Sequence, residues 1–373
     1  ECGLLQGLQR CQPAAHLFQP GARFVRAVRG GLDFTAQLSA NRAGLQRLAQ
    51  LLQQMGRTVF TKQLVELNDY AERLARATLA QIPAGRYQGQ DWMDDDGIDS
   101  QDVPIRVCVD VSAEQIVVDF SGTADQVKGN INCPLPVTAA AVFYVFRCLM
   151  PDYTPACQGS FRPIELRVPD GCLLNAQRPA AVAAGNVETS TRIVDVVLAA
   201  LAQALPHRVP AASHGSMNNL AMGSIIGQRW DYYETIGGGM GAHAGGDGLN
   251  AVQTHMTNTL NTPVEILEQR FPLRMHCYAI RRGSGGKGLH RGGDGMVREY
   301  ELLEATQVSL LTVRRRYPPW GLFGGVSARA GSNILYGEHL AGKCSFMAEP
   351  GDRLRIETPG GGGCGKATTN EEI

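Results

Sequence analysis

"IRVCVDVSAEQIVVDF", residues 105–120, decides how the rest of the chain is read. Ile105, Val107, Val109 and Val111 alternate with Arg106, Cys108 and Asp110, a period of two that sends one set of side chains inward and the other outward. Ala113-Glu114 interrupt the pattern, and Ile116, Val118 and Phe120 resume it, so the stretch predicts a β-hairpin. Upstream the period is helical. Leu45, Leu48, Ala49, Leu52 and Met55 share one stripe that Gly56 ends; a second stripe, Leu64, Leu67, Ala71, Leu74, Ala75 and Ile82, runs from about Thr61 to just before Pro83. Two antiparallel helices are expected there. Between helices and hairpin, "YQGQDWMDDDGIDSQD" (87–102) reads as a polar loop, and its "DDDG" (94–97) as a solvated turn, because the glutamate that closes a calcium loop is missing.

Downstream, "PVTAAAVFYVFRCLM" (136–150) is apolar on nearly every side and opens with proline, as a buried helix would. "STRIVDVVLAALAQAL" (190–205) is similar, with Thr189 or Ser190 as its cap and Pro206 just past its end. From about residue 270 helical periodicity fades, and short alternating runs at 297–303, 307–313 and 352–357 predict strands. The expected fold class is therefore mixed α+β, in four parts. Residues 1–32 are an atypical N-terminal segment, 33–83 a helical hairpin, 84–269 a central mixed α/β region with two buried helices and the candidate pocket, and 270–373 a β-rich C-terminal region.

Composition narrows the function. Among 373 residues, Lys+Arg and Asp+Glu are both 35, so no basic surface is available to follow a phosphate backbone, and nucleic acid is not an expected partner. The ten cysteines are scattered without a C-x-x-C, which suits reduced cytoplasmic thiols better than a disulfide framework. No apolar run has the length of a membrane span, so a membrane partner is not expected either.

Three polar strips lie near glycine clusters. "AAGNVETS" (183–190) puts Asn186, Glu188, Thr189 and Ser190 at a helix N-terminus, where free N–H groups favour an anionic ligand; ordinary capping by Glu188 reads the same residues equally well. "SHGSMNN" (213–219) supplies His214, Asn218 and Asn219. "THMTNTLNTPVE" (254–265) carries His255, Asn258 and Asn261, and follows a run in which seven of the thirteen residues 236–248 are glycine, Gly238 and Gly239 among them. Glycine at that density lets main chain approach a ligand closely. Neutral amides and hydroxyls there suit an amide-like or carbonyl-bearing ligand. His255 alone in its strip changes charge near neutral pH, so it is the first candidate for general acid/base work, with a satisfied structural histidine as the plain alternative.

Other clusters do less. "GGGGCGKATT" (360–369) nearly matches a phosphate-binding loop, but Ala367 stands where the metal-binding hydroxyl belongs and only a few residues follow, so it is rejected as a nucleotide site. "RRRYPPWGLFGG" (314–325) reads as a carboxylate binder, a partner interface or a rim of surface charge.

Taken together, "DFSGTADQVKGNIN" (119–132), "GNVETSTRIVDVV" (185–197), "GSMNNL" (215–220), "YYETIGGGMGA" (232–242), "THMTNTLNTPVE" (254–265), "RRYPPWGLFGG" (315–325) and "DRLRIETPGGGG" (352–363) resemble the hydantoinase B/oxoprolinase family, over about residues 33–366. That resemblance implies the B-type subunit of an ATP-dependent cyclic-amide hydrolase acting on hydantoin, N-methylhydantoin or 5-oxoproline. It implies a hydantoinase A-type ATPase partner that binds the ATP, and a divalent metal. The family's His- and Asp-containing metal motifs belong to a longer N-terminal portion, so the metal ligands are expected outside this chain and the chain is expected to be N-terminally truncated. On this reading His255 and Glu188 are the catalytic residues, and Asn186, Thr189, Asn218, Asn219, Gly238, Gly239, Asn258 and Asn261 bind substrate. Two alternatives share the fold: a non-catalytic, partner-binding remnant, and a subunit of an acetone or acetophenone carboxylase-like enzyme.

Overall fold

The computed structural model describes residues 23–224 and 229–367, with side chains from Phe34 onward. The chain divides into two compact units, Glu1–Glu66 and Leu67–Ile373. The first contains α1 (Arg23–Met55) and the start of α2 (Arg57–Leu79). The two helical stripes fall where expected. Leu45, Leu48 and Leu64 stay 66%, 42% and 45% exposed. Gly56, with φ +75°, separates the two helices.

In the second unit the end of α2 buries Ala71, Ala75 and Leu79. The hairpin of 105–120 is present as β2 (Gln101–Val111) and β3 (Ile116–Asp119), closed by the Ser112 amide on the Gln115 carbonyl. The segment expected as a polar loop is a strand, β1 (Gly85–Asp95), paired antiparallel with β2 from Gly85↔Val111 to Asp95↔Gln101. Hydropathy hides it because Asp91 and Asp94 occupy inward positions beside Met93. At "DDDG" the tip of the turn, Gly97 to Asp99, is exposed as expected, but Asp96 is buried: its Oδ1 accepts the amides of Ile98, Asp99 and Ser100, and its Oδ2 accepts that of Gly129. β4 (Ile164–Arg167) adds in parallel to β3, completing a sheet of order β1-β2-β3-β4.

α3 (Leu135–Leu149) and α4 (Ser190–Ala202) are the two expected buried helices; they pack on each other, and α4 lies across β1 and β2. The main core forms there, around Phe120, Phe146, Ile193 and Val197. α4 is not capped as the sequence suggested. One wide π-helical turn, Gly185–Thr189, leads into it, and the Thr189 hydroxyl donates to the Ile131 carbonyl at 2.5 Å.

The remaining strands are β5 (Asn219–Ser224), β6 (Trp230–Glu234), β7 (Leu273–Arg281), β8 (Gly295–Leu302), β9 (Thr306–Leu311), β10 (Ser332–Leu335), β11 (Glu338–His339), β12 (Lys343–Ala348) and β13 (Arg353–Glu357), with a short α5 (Val264–Arg270) before β7. They form two sheets, β11-β10-β13-β8-β7 and β12-β9-β5-β6, over a second core that includes Leu220, Tyr300, Val308 and Leu354. The latter sheet joins strands from both sides of residue 270.

A glycine-lined seam ties the unit together. Backbone segments around 211–213, 239–242, 284–293, 320–326 and 359–365 bond to one another directly, for example Gly361 to Gly293, Gly293 to Met240, Gly362 to Ala212 and Gly363 to Val326. A Cβ at Gly239 would stand 2.0 Å from the Gly293 oxygen, and one at Gly361 2.0 Å from the Met240 oxygen, so only glycine permits this approach. "GGGG" of 360–363 is therefore a packing device. No side chain separates these strips of main chain.

Candidate functional site

The segment 213–219 runs beside that seam and carries two groups of polar side chains. At its start, the Ser213 hydroxyl lies 3.3 Å from His255 Nε2 and accepts the Gly241 amide at 3.2 Å. His255 Nδ1 faces the Tyr144 hydroxyl of α3 at 3.5 Å, the two rings meeting edge to face. His255 sits at φ +55°, a left-handed backbone that a β-carbon makes costly, so the surrounding structure holds it in place. Burial keeps its pKa below the ordinary histidine value, against the pull of the Asp195 carboxylate. Next to it, His214 is fully enclosed, its Cβ pressed against Gly238 and its amide bonded to the Gly239 carbonyl. Burial first, then the neighbouring His255 ring and the Arg314 and Arg315 charges, push His214 down to about 3, although the Ser216 amide works the other way. His214 is neutral at any physiological pH.

At the other end of the segment lies Glu188, placed by the π-turn. Its Oε1 accepts the Met217 amide at 3.0 Å and the Asn219 side-chain amide at 2.7 Å. Its Oε2 is buried without a hydrogen bond of ordinary geometry. Complete burial raises its pKa to about 7; the Ser216 hydroxyl and the Lys343 and Arg315 charges offset only part of that. A carboxyl so poised can hold or release a proton near neutrality. Asn219 also receives the Tyr233 hydroxyl, at 2.5 Å, and Asn218, at φ +48°, receives Arg315 Nη1 at 2.6 Å. An open groove of about 400 Å³ is lined by Asp94, Gly97, Arg315, Arg316 and Lys343, and so reaches the two cations nearest Glu188.

Beneath both groups is a buried charge network. Arg314 Nη2 pairs with Asp195 at 2.5 Å and with Asp91 at 2.9 Å, and Arg192 pairs with Asp91 at 3.2 Å. Trp320 Nε1 donates to Asp91 as well, at 3.2 Å. Burial opposes charge on Asp91, but Arg192 and Arg314 outweigh it and hold the carboxyl below its ordinary value. Asp94 accepts the backbone amides of Arg315, Arg316 and Tyr317. Arg314 is thus an interior residue, Arg315 is half-buried at the groove, and Arg316, paired with Asp102, is exposed.

The expected site residues distribute as follows. His255, His214, Gly238 and Gly239 are brought together, and Glu188 with Asn218 and Asn219 adjoins them through 213–219. The side-chain atoms of Asn218 and Asn219 are engaged by protein partners, as is the Thr189 hydroxyl. Asn186 is exposed, its carbonyl taken by the Ser190 hydroxyl; Asn258 is exposed too, and Asn261 donates to the Thr235 carbonyl at 2.7 Å. Ser213, Tyr144, Asp195 and Arg192 escaped the sequence reading, whereas Arg314 belongs to the arginine cluster read there as a carboxylate binder, and it does pair with Asp195 and Asp91. The S-H dipeptide before "GSMNN" and the lone Asp and Arg inside an otherwise apolar helix were the available signals. Among the described residues no three His, Cys, Asp or Glu side chains are arranged to hold a metal ion, so these residues do not by themselves fit the divalent metal that the resemblance implies.

Comparison with known proteins agrees with this architecture. The sequence matches the hydantoinase B/oxoprolinase family over residues 4–367, further toward the N-terminus than the quoted motifs reach. It is 39% identical to 5-oxoprolinase 1 of Arabidopsis thaliana over 89% of the chain and 27% of that protein. To a putative D-/L-hydantoinase B-type subunit of Pseudomonas sp. it is 31% identical over 91% of the chain and 60% of that protein. The chain thus spans about a quarter of the former and three-fifths of the latter. Among solved structures, the ATP-dependent caprolactamase of Pseudomonas jessenii superposes with TM-score 0.79 at 26% identity, over 90% of this chain and 61% of that one. Acetone carboxylase superposes at 0.71 with 16% identity, over 85% and 50%, which shows a shared fold. A mixed α/β unit with this topology, matched to the family along nearly its whole length, belongs to the hydantoinase B/oxoprolinase family.

Proposed function

We propose that this chain is part of the B-type component of an ATP-dependent cyclic-amide hydrolase, acting on hydantoin, N-methylhydantoin or 5-oxoproline. The observation that carries the reading is that one segment, 213–219, touches at one end a histidine held against the Ser213 hydroxyl and at the other a buried carboxyl of pKa about 7. Opening a cyclic amide requires a group that takes a proton from the attacking oxygen and one that returns a proton to the departing nitrogen. His255 and Glu188 are assigned those roles, and Asn186, Thr189, Asn218, Asn219, Gly238, Gly239, Asn258 and Asn261 remain the proposed lining. The 5-oxoprolinase and hydantoinase relatives, and the caprolactamase fold, support the substrate class. A hydantoinase A-type partner would bind and spend the ATP, and a cytoplasmic setting accords with the scattered cysteines. Any divalent metal would need ligands from outside the described residues, and no step is assigned to one.

The test is reconstitution of a full-length B-type protein that contains this sequence with its A-type partner. ATP-coupled ring opening of 5-oxoproline or a hydantoin is expected; ATP-dependent carboxylation of a ketone without ring opening would move the protein to the carboxylase branch.

A further inference from the structure

The arginines at 314–316 follow one another in sequence, and the fold gives each a different kind of partner. Arg314 is buried against the carboxylates of Asp91 and Asp195, and Arg316 is exposed and pairs with Asp102. Arg315 lies between them in burial, yet among the described residues no carboxylate stands within ion-pair distance of its guanidinium. Neutral oxygens hold it instead: Nη1 donates to Asn218 Oδ1 at 2.6 Å and to the Val313 carbonyl at 2.9 Å, and Nη2 donates to Asn333 Oδ1 at 2.8 Å. Its Nε is buried without a partner. Both amides are themselves fixed, Asn218 Nδ2 on the Ile236 carbonyl and Asn333 Nδ2 on the Thr312 hydroxyl, so the plane of the guanidinium is set in advance. A cation drawn out of water is ordinarily matched by an anion, and burial pulls the Arg315 pKa down to about 10, with Glu188 and Asp94 supporting its charge only from beyond pairing distance.

Arg315 also lines the open groove of about 400 Å³, together with Lys343 and Arg316, and that volume is in the range of small-molecule sites. The acidic residues of the groove are already engaged. Asp94 accepts the backbone amides of 315–317, Asp95 holds Lys343 at 3.2 Å, and Asp99 holds Lys128 at 2.5 Å. A rigid fork held by neutral groups, with a groove beside it and a second, largely buried ammonium nearby, suits a planar anion, and a carboxylate matches the fork best. We propose that Arg315, supported by Lys343, receives a carboxylate of the substrate in this groove and so selects acidic cyclic amides, 5-oxoproline among them, over neutral hydantoins. This inference rests on the cyclic-amide reading of the site. A hydantoin or N-methylhydantoin brings no carboxylate and leaves the fork unmatched, and a site built around a polar partner rejects the ligand that lacks it.

The experiment uses the full-length B-type protein that contains this sequence and two probes, 5-oxoproline and 2-pyrrolidinone, the same ring without its carboxylate. Calorimetric titration is expected to give binding of 5-oxoproline at least roughly tenfold tighter, a preference that shrinks as salt is raised. In Arg315→Gln the affinity for 5-oxoproline should fall roughly tenfold to hundredfold while that for 2-pyrrolidinone stays within roughly twofold, a split that a general loss of structure would not produce. Arg315→Lys should recover part of the loss, because it keeps the charge and not the fork. Should Arg315→Gln fail to fold, Lys343→Gln carries the same comparison, with a loss of roughly threefold to tenfold expected for 5-oxoproline alone. Equal affinity of the parent for the two probes, binding of neither included, or equal losses for both in the variants, overturns the proposal. Inorganic phosphate that binds more tightly than 5-oxoproline and loses that affinity in Arg315→Gln would overturn the assignment to a carboxylate. In the complex with its A-type partner the Arg315→Gln effect should fall chiefly on KM for 5-oxoproline. Ring opening of 5-oxoproline with KM unchanged in Arg315→Gln would overturn this inference and leave the cyclic-amide reading standing, whereas Arg315-dependent binding of 5-oxoproline by a complex that opens no ring would do the reverse.

Discussion

Replacing Glu188 by glutamine should stabilise the protein at alkaline pH and leave its stability nearly unchanged near pH 5. Glu188 is completely buried, and its carboxyl moves from 4.5 to about 7 on folding. A group whose pKa is raised in the folded state contributes fully below its unfolded value and loses that contribution as pH climbs toward the folded value. The window is therefore about pH 4.5 to 7, and above it the charged carboxylate costs about 3 kcal/mol at 1.36 kcal/mol per tenfold. Glutamine keeps the oxygen that accepts the Met217 and Asn219 amides, but it puts an N–H group where Oε2 stood. The nearby Ser216 hydroxyl already accepts the amides of Asn218 and Val313, so this N–H is poorly paired, at a cost of about 1 kcal/mol. The net gain is about 2 kcal/mol at pH 8, with the two proteins matched near pH 5. Urea unfolding at pH 5, 6, 7 and 8, followed by tryptophan fluorescence, measures both curves. A variant less stable than the parent by the same margin at every pH would show that Lys343 and Arg315 keep Glu188 charged and that the argument from burial is wrong.

Three further outcomes follow from the same geometry. In a complete homologous protein, His255→Ala should lower turnover at least tenfold, about 1.4 kcal/mol of transition-state stabilisation, measured as ATP-dependent ring opening with its partner. Arg314→Met strands Asp91 and Asp195 without one of their cations and should cost about 3–5 kcal/mol in denaturant unfolding, while a loss under about 1 kcal/mol would mean that Arg192 suffices alone. Gly361→Ala drives a methyl group to 2.0 Å from the Met240 oxygen and should destabilise by about 3 kcal/mol or more, read as a lowered melting temperature or loss of soluble protein.

The parts of the fold legible in the sequence were those whose burial is apolar. The alternation of Val107, Val109 and Val111 and the wholly apolar α3 announce themselves because hydropathy and geometry share one period. β1 did not, since its inward residues include Asp91 and Asp94, whose partners stand more than 200 residues away in 314–320. Charge compensated across such a distance looks, in sequence, like charge exposed to solvent. The leucine stripe of α1 announced a helix through its spacing, although Leu45 and Leu48 stay exposed in the structure. At the site, His255 and Glu188 drew attention through chemistry alone. Ser213 and Tyr144 did not, because a serine becomes notable only once a histidine 42 residues further on lies beside it.

The ion pair between Arg314 and Asp195 spans 119 residues. At a synthesis rate of roughly 5–20 residues per second, the aspartate leaves the ribosome about 6–24 s before its cation exists. During that interval the cation near Asp195 is Arg192 of the same helix, which Asp91 also holds. Arg314 alone pairs directly with both Asp91 and Asp195, so this charge network can be completed only after most of the polypeptide has been made.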